Sequence, residues 1–501
     1  MSARYLLGVD IGTYSSKATL AAEDGSVAAR AAVEHSLSLP RPGWAEHDPE
    51  SVWWKDFLEL CGAILSRSRV PPTSIAAVGI STISPAVVVV DDAGRALRPA
   101  ILYGIDTRAT KEIAELETTT GASLSSQSAA PKVLWIRRNE PEVWKRTRAV
   151  LNGSGYLNHR LTGEKTIDVY DASIFAPFYD PTAGGWSDAI APLVAPVEMM
   201  PRVTWTAEMA GRITAEAARV TGLAVGTPVI TGTADAAAEA VSTGLSRPGD
   251  MMVMYGSSTF FLLATDRLVP APGFWSSRFL EKDGFVVAGG TAVAGGLTRW
   301  FRDTFGAAEV AAEKAGAGNA YARLAEMAAD SPAGARGLVA LPYFSGERTP
   351  LNDPEARGMI FGLTLSHTRA DVYRALLESV GYAIRHNVEA LTAGGCAPKR
   401  ILAVGGGTYN ALWMQIVSDI TGLEQEIPAP LEGASYGDAF LAGIGVGMFT
   451  AMRDITRWVS GTRRIVPNPE ERRRYDAAYR IYRELYERNA SLMHDIAAAQ
   501  E

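Results

Sequence analysis

Cysteine is nearly absent: the 501 residues include two, Cys61 and Cys396. Two thiols cannot build a disulfide framework, and neither lies in a CxxC or Cys/His cluster of the kind that holds zinc. Long apolar runs are missing too. No stretch of about 18 unbroken apolar residues occurs, so no membrane span is expected. Positive charge is not in excess: the net charge is −7 and the pI near 5.6, which excludes the basic stripe of a nucleic-acid surface. The opening "MSARYLLGVDIGTYSS" lacks the apolar core and cleavage site of a secretory signal. A reduced, cytoplasmic location is the expectation.

What is present is a globular composition, 47% apolar and 21% charged, in a chain long enough for two or three domains. "RYLLGVD", "SSKATLAAE" and "SVAARAAVEH" read as strands, with "DG" at 24–25 as a turn. Asp48 and Pro49 suit the N-cap and first position of a helix that carries Trp53, Phe57, Leu60 and Ile64 at helical spacing. "IAAVGIS" and "AVVVVDDAG" are strands again, the second ending in a "DDAG" hairpin turn. "LSRPGD" (245–250) is the candidate boundary, giving domains 1–248 and 249–501. Beyond it "DMMVMYGSSTFFLLATD" repeats the layout of "YLLGVDIGTYSSKATLAAEDG": strand, tight turn, strand. The turns at Gly12 and Gly256 begin successive halves, which predicts duplicated α/β domains. Residues 468–498 form one helix with Tyr475, Tyr479, Tyr482 and Tyr486 in a stripe, expected to pack on its own domain.

Three places carry chemistry. In "DIGTYSSK", Gly12, Thr13, Ser15 and Ser16 can bring amides and hydroxyls close to an anion, Lys17 adds charge, and Asp10 could hold Mg²⁺ through water. An ordinary hairpin turn is the plain alternative; the second copy, Gly256, Ser257 and Ser258, favours two grips on one triphosphate. "ILAVGGGTYNALWMQI" joins a strand to a helix through glycines, a layout suited to a nucleotide. It is not GxGxxG, and no GxxxxGK[ST] loop exists, so ATP must be held some other way. Third is "GTADAAAEA", a lone acid, Asp235, among small residues where a strand gives way to a helix.

"GVDIGT", "PGWAEHDP", "GTADAAAEA", "YGSST", "GERTP…DPEARG", "GLTLSHTRADVYRALLE" and "GGGTYNALWMQI" occur in that order over residues 6 to about 445. Together they resemble the FGGY carbohydrate kinases, the xylulokinase branch most closely. The resemblance implies an α/β fold of two ribonuclease-H-like domains of the actin/hexokinase type, with the active site in the interdomain cleft. It implies a sugar-binding first domain, a nucleotide-binding second domain, and ATP and Mg²⁺ as cofactors. Asp235 falls where the family places its catalytic base, kept ionised by a helix N-terminus. Thr13 and Lys17 would lie near the phosphates with Gly12, Gly256, Ser257 and Ser258; Gly295 would line the nucleotide channel; and Gly406, Gly407 and Asn410 would hold the adenosine. Sugar and ATP are then the partners, with neither nucleic acid nor membrane; a homodimer follows from family habit alone.

The sugar pocket departs from the pattern. Where xylulokinases read "SGQMHG" this chain has "STISPA", so Ser84 and Pro85 replace Met and His. Ala236 follows Asp235 in place of Asn or Gln. "YGIDTRA" keeps Asp106 and Arg108 as expected sugar contacts, with Gly104 where Trp is usual. The expected reaction is phosphorylation of D-xylulose, with another ketose or polyol such as ribulose as the alternative. A non-catalytic regulator on this fold, or an ATPase switch of the actin type, is the competing class.

Overall fold

Tyr5–Ile11 is apolar on both faces and six of its seven residues are buried, as a central strand requires. It pairs antiparallel with Ser15–Ala22 and parallel with Ile75–Thr82. The computed structural model, which describes residues 4–269, 273–429, 433–459 and 461–500, extends these three strands into a seven-stranded sheet. The order is Met209–Arg212, Pro228–Ile230, Ile75–Thr82, Tyr5–Ile11, Ser15–Ala22, Val27–Glu34, with Thr233–Ala234 also beside Ile75–Thr82. Helix Lys55–Ser68 covers the Ser15–Ala22 and Val27–Glu34 side. Its lead-in is capped as expected, Asp48 accepting from the amides of Glu50 (3.0 Å) and Ser51 (2.8 Å) with Pro49 first. Helix Ala434–Gly445 lies on Tyr5–Ile11 and Ile75–Thr82 and against Asp235–Ser242.

The second sheet also has seven strands. Its central order is Phe285–Gly289, Thr259–Thr265, Asp250–Tyr255, Arg400–Val404, Gln425–Ala429, Gly461–Ile465. Strand for strand this matches the first: a hairpin, a strand parallel to its first arm, a second parallel strand, then an antiparallel one. The duplication expected from the two glycine turns is therefore present. Helix Arg369–Ala393, started by a capping box between Thr368 and Asp371, packs on Ala411–Thr421. In the tail helix Pro469–Gln500, Tyr475, Tyr479 and Tyr482 are buried; the Tyr343 hydroxyl donates to Tyr482 at 2.7 Å and Arg374 to Tyr475 at 2.7 Å. The tyrosine stripe is core, not a free face.

Two details differ from the expectation. Val88–Val90 ladders with the distant Ala149–Leu151, and a single bridge, Val90 to Ala96, follows the "DDAG" turn. The division of the chain is also not one cut. Contacts give one unit of Met1–Gly244, Ser277–Gly284 and Glu432–Ser460, and another of Leu245–Ser276, Phe285–Leu431 and Gly461–Glu501. A split at 248/249 leaves Ala434–Gly445 in the second half, yet its small residues let it bury against the first sheet. Among the described residues no helix is long and apolar enough to cross a membrane.

Candidate active site

In-register pairing sets Asp10 opposite Ser81, and Ser81 opposite Thr233, so three neighbouring segments end together and helix Asp235–Ser242 starts there. The Ser81 hydroxyl lies 3.1 Å from Asp10 Oδ1 and 2.7 Å from Asp438 Oδ2, and its one proton can serve only one of them at a time. Asp438 Oδ1 is buried with no hydrogen-bond partner among the described residues. Asp235 is half-buried and accepts from the Ala236 amide at 2.7 Å.

Four carboxylates thus share a desolvated corner. Burial raises Asp10 to about 6, against the pull of Lys17 and Ser81. Burial, then the Asp10 charge, raises Asp235 and Asp438 well above the ordinary range and Glu239 to about 7. The helix N-terminus was expected to keep Asp235 ionised; desolvation and the neighbouring acids outweigh it. Such a set stays charged only with a cation beside it. The donors fit Mg²⁺: hard oxygens, one of them an orphan. Among the described residues no three His, Cys, Asp or Glu side chains group tightly enough to cage an ion alone. Mg²⁺ fits that shortfall, since it keeps water and phosphate oxygens as ligands. Lys17 is exposed and its charge acts on both Asp10 and Glu239.

Beside the corner, the Gly12–Ser15 turn closes through Gly12 N to Ser15 O at 3.0 Å, and Thr13 Oγ1 meets the Tyr103 hydroxyl at 3.1 Å. The ammonium of buried Lys132 holds the carbonyls of Leu102 (2.7 Å) and Tyr103 (3.1 Å), fixing that tyrosine. Ser84, half-buried, donates to Asp171 at 2.5 Å; Asn152 Nδ2 holds the other Asp171 oxygen at 2.6 Å. Pro85 is buried and contributes bulk; Ala236 is half-buried beside Asp235. A Cβ on Gly104 would come within 2.4 Å of Gln127 Nε2, so Gln127 fills room that a larger residue at 104 would need.

Asp106 and Arg108 do not present themselves to a sugar. Arg108 is forked onto Asp106 (2.6–3.0 Å), donates to Glu46 at 2.8 Å and lies 3.9 Å over the Trp44 ring. With side-chain exposures of 1% for Arg108 and 0% for Asp106, neither has surface for a ligand. They form an internal ion-pair pillar.

In the other unit, Gly256 N closes its turn on Ser258 O at 3.0 Å, and Ser257 O accepts from Ala294 N and Gly296 N at 2.8 Å each. Gly295 N donates to Gly256 O at 2.9 Å; a Cβ there would sit 2.6 Å from that oxygen, which explains the glycine. The turn borders a cavity of about 550 Å³ lined by Ser257, Ser258, Gly296, Trp300 and Phe344 among others. Met254 pairs with Val404, so the Gly256 turn and the Gly405–Gly407 turn emerge at the same sheet end. Gly406 and Ser257 are exposed there. Asn410 caps helix Ala411–Thr421, accepting from Trp413 N at 3.0 Å. In "GERTP", Glu347 accepts from the amides of Ala292 (2.8 Å) and Arg348 (2.7 Å), and Thr349 from Gly290 N at 2.8 Å, pinning this loop to the strand leading into helix Gly295–Phe305.

Asp438, Glu239 and Asp171 were not foreseen. Asp438 had a signal: "GASYGDAFLAG" surrounds a lone acid with small residues, as "GTADAAAEA" does.

Known proteins resemble this chain over its whole length. Residues 5–242 match the model for the N-terminal domain of the FGGY family of carbohydrate kinases, and residues 251–446 the C-terminal domain. A xylulose kinase of Escherichia coli (strain K12) is 30% identical over 499 residues, covering 97% of this chain and 99% of its own. A glycerol kinase of Aromatoleum aromaticum is also 30% identical, over 97% and 98% of the two chains. The crystal structure of xylulose kinase from Rhodospirillum rubrum superposes with a TM-score of 0.89 at 34% identity, covering 98% and 100%. With both domain models matched in order and the likeness running the whole length, the chain belongs to the FGGY family of carbohydrate kinases.

Proposed function

We propose that this enzyme transfers the γ-phosphoryl group of ATP to a hydroxyl of D-xylulose, giving D-xylulose 5-phosphate and ADP, with Asp235 as general base. The observation that carries the reading is the carboxylate corner. Asp235 is half-buried and, among the described residues, accepts a hydrogen bond only from its own neighbour's amide, so an oxygen is available to a substrate hydroxyl. Its raised proton affinity suits a base that must accept a proton during the transfer. The sugar O–H bond breaks toward Asp235, the sugar oxygen bonds to the γ-phosphorus, and the bond from that phosphorus to the β-bridging oxygen breaks, releasing ADP. Phosphoryl transfer needs alignment and charge neutralisation more than covalent help.

Mg²⁺, held by Asp10 with Asp438 beside it, would supply charge neutralisation for the phosphates and for the acids. Gly12, Thr13, Lys17, Gly256, Ser257, Ser258 and Gly295 are assigned to the phosphates. Gly406, Gly407 and Asn410 are assigned to the nucleoside. Ser84, Pro85 and Ala236 are assigned to the sugar; Asp106 and Arg108 are not. A homodimer, and a cytoplasmic location, are carried over from the family.

The full-length similarity to xylulose kinases supports the choice of sugar, while the equally identical glycerol kinase shows that identity alone does not decide it. Ser84, bonded to Asp171, and Pro85, in place of Met and His, are a specific reason to test ribulose and polyols beside xylulose. A coupled ADP assay over a ketose and polyol panel makes the test. D-xylulose is expected to give the highest kcat/KM, well above the rate of ATP hydrolysis without sugar. Hydrolysis indifferent to every sugar would reject the kinase reading, and a better ketose would move the substrate.

A further inference from the structure

The motif "PGWAEHDP" and the preceding "VEHS" take no part in the mechanism above, yet each places a histidine under the Gly12–Ser15 turn. His35 has a side chain only 6% exposed. Its Nδ1 lies 2.7 Å from Asp56 Oδ2, an oxygen that also accepts from Ser16 Oγ at 2.7 Å. Its Nε2 lies 3.1 Å from the Gly12 carbonyl oxygen, and its backbone N–H donates to the Tyr14 carbonyl at 3.0 Å. His47 packs edge-on to it, ring centres 4.9 Å apart. The Trp53 indole donates to His47 Nδ1 at 3.1 Å, so the neutral ring carries its proton on Nε2. That ring is neutral at ordinary pH, because burial and then the nearby His35 push it down to about 4. The buried Nε2 faces the Thr13 backbone, short of a full hydrogen bond.

A planar trans peptide points its C=O and the next N–H in opposite directions. Carbonyls of Gly12 and Thr13 drawn toward the histidines therefore turn the amides of Thr13 and Tyr14 outward. Among the described residues neither amide donates to any protein acceptor. Two outward, unpaired N–H groups in succession make an anion-binding concavity.

We propose that His35, with His47 beside it, is a positioning residue that aims the Thr13 and Tyr14 amides at a nucleotide phosphate. This rests on the reading of the Gly12 turn as a phosphate site. His35 touches no substrate: it acts through the Gly12 carbonyl, with Asp56 and Ser16 locking its ring.

Two variants separate positioning from mere packing. His35→Gln sets an amide nitrogen near the Nε2 position, keeping a donor for Gly12 while losing Asp56. His35→Asn sets one near Nδ1, keeping Asp56 and leaving Gly12 bare. Calorimetry with MgADP should show the Asn variant weaker by about tenfold, the size of one lost hydrogen bond, and the Gln variant close to the parent. Sugar affinity should stay unchanged in both. Equal losses in the two variants would overturn the positioning role. Failure of the unaltered protein to bind MgADP at all would instead overturn the phosphate site beneath it. Should the variants not fold, hydrogen exchange on the unaltered protein decides: the amides of Thr13 and Tyr14 are expected to gain protection with MgADP, and none gained would contradict the proposal.

Discussion

Burial raises the proton affinity of Asp235, and the nearby Asp10 charge adds to it. A cation bound there competes with protons. Because Asp10 ionises near 6 and Glu239 near 7, MgADP affinity is expected to rise with pH across that range and level off above it. Calorimetry in two buffers of different ionisation heat should register proton release on binding; binding with no proton release would remove the cation from this corner. The residue scale also separates what was readable from what was not. Asp235 stood out because a lone acid among small residues at a strand–helix junction has few structural reasons to exist. The helix dipole is a local feature readable in sequence, whereas the burial and the Asp10 and Asp171 charges that raise its proton affinity come from elsewhere in the chain. Asp106 and Arg108 misled for a similar reason: two residues apart, they satisfy each other and Glu46.

Helix Ala434–Gly445 brings Asp438 to Ser81, and it can do so only by very close approach. A Cβ on Gly437 would lie 2.0 Å from the Ala238 carbonyl oxygen, and one on Gly8 would lie 1.8 Å from the Ser435 oxygen. Gly437→Ala is therefore expected to push the helix off Asp235–Ser242. A cost of about 3 kcal/mol would lower the melting temperature of that unit by roughly 5–10 °C. Turnover should fall with it, because Asp438 and Asp235 ride on the two displaced helices. A variant with unchanged melting temperature and turnover would show that this contact does not position the acids. Periodicity made the elements themselves readable: helix Arg369–Ala393 and the tail helix fall close to where apolar spacing puts them. The return of Ala434–Gly445 to the first sheet was invisible, because a helix rich in small residues carries no mark of which sheet it will cover.

At the scale of the whole molecule, the two sheets repeat one strand order, and sequence disclosed that through its paired glycine turns. Both units carry acids that burial holds protonated more tightly folded than unfolded: Asp10, Asp171, Asp168 and Glu239 in the first and Glu347 and Glu378 in the second are raised to between about 6 and 7. Their stabilising protonation is complete at acid pH and is lost as pH rises through 6 to 7. The ligand-free protein should thus melt higher at pH 6 than at pH 8, and MgADP should reduce the difference; a melting temperature flat over this range would count against the desolvated cluster. Turnover depends most directly on Asp235. Replacing it with Asn keeps the shape and removes the proton acceptor, so MgADP binding measured by calorimetry should stay within about twofold while kcat for the best sugar falls by about 10³-fold or more. An Asp235→Asn enzyme that still turned over at close to the parent rate would contradict that dependence.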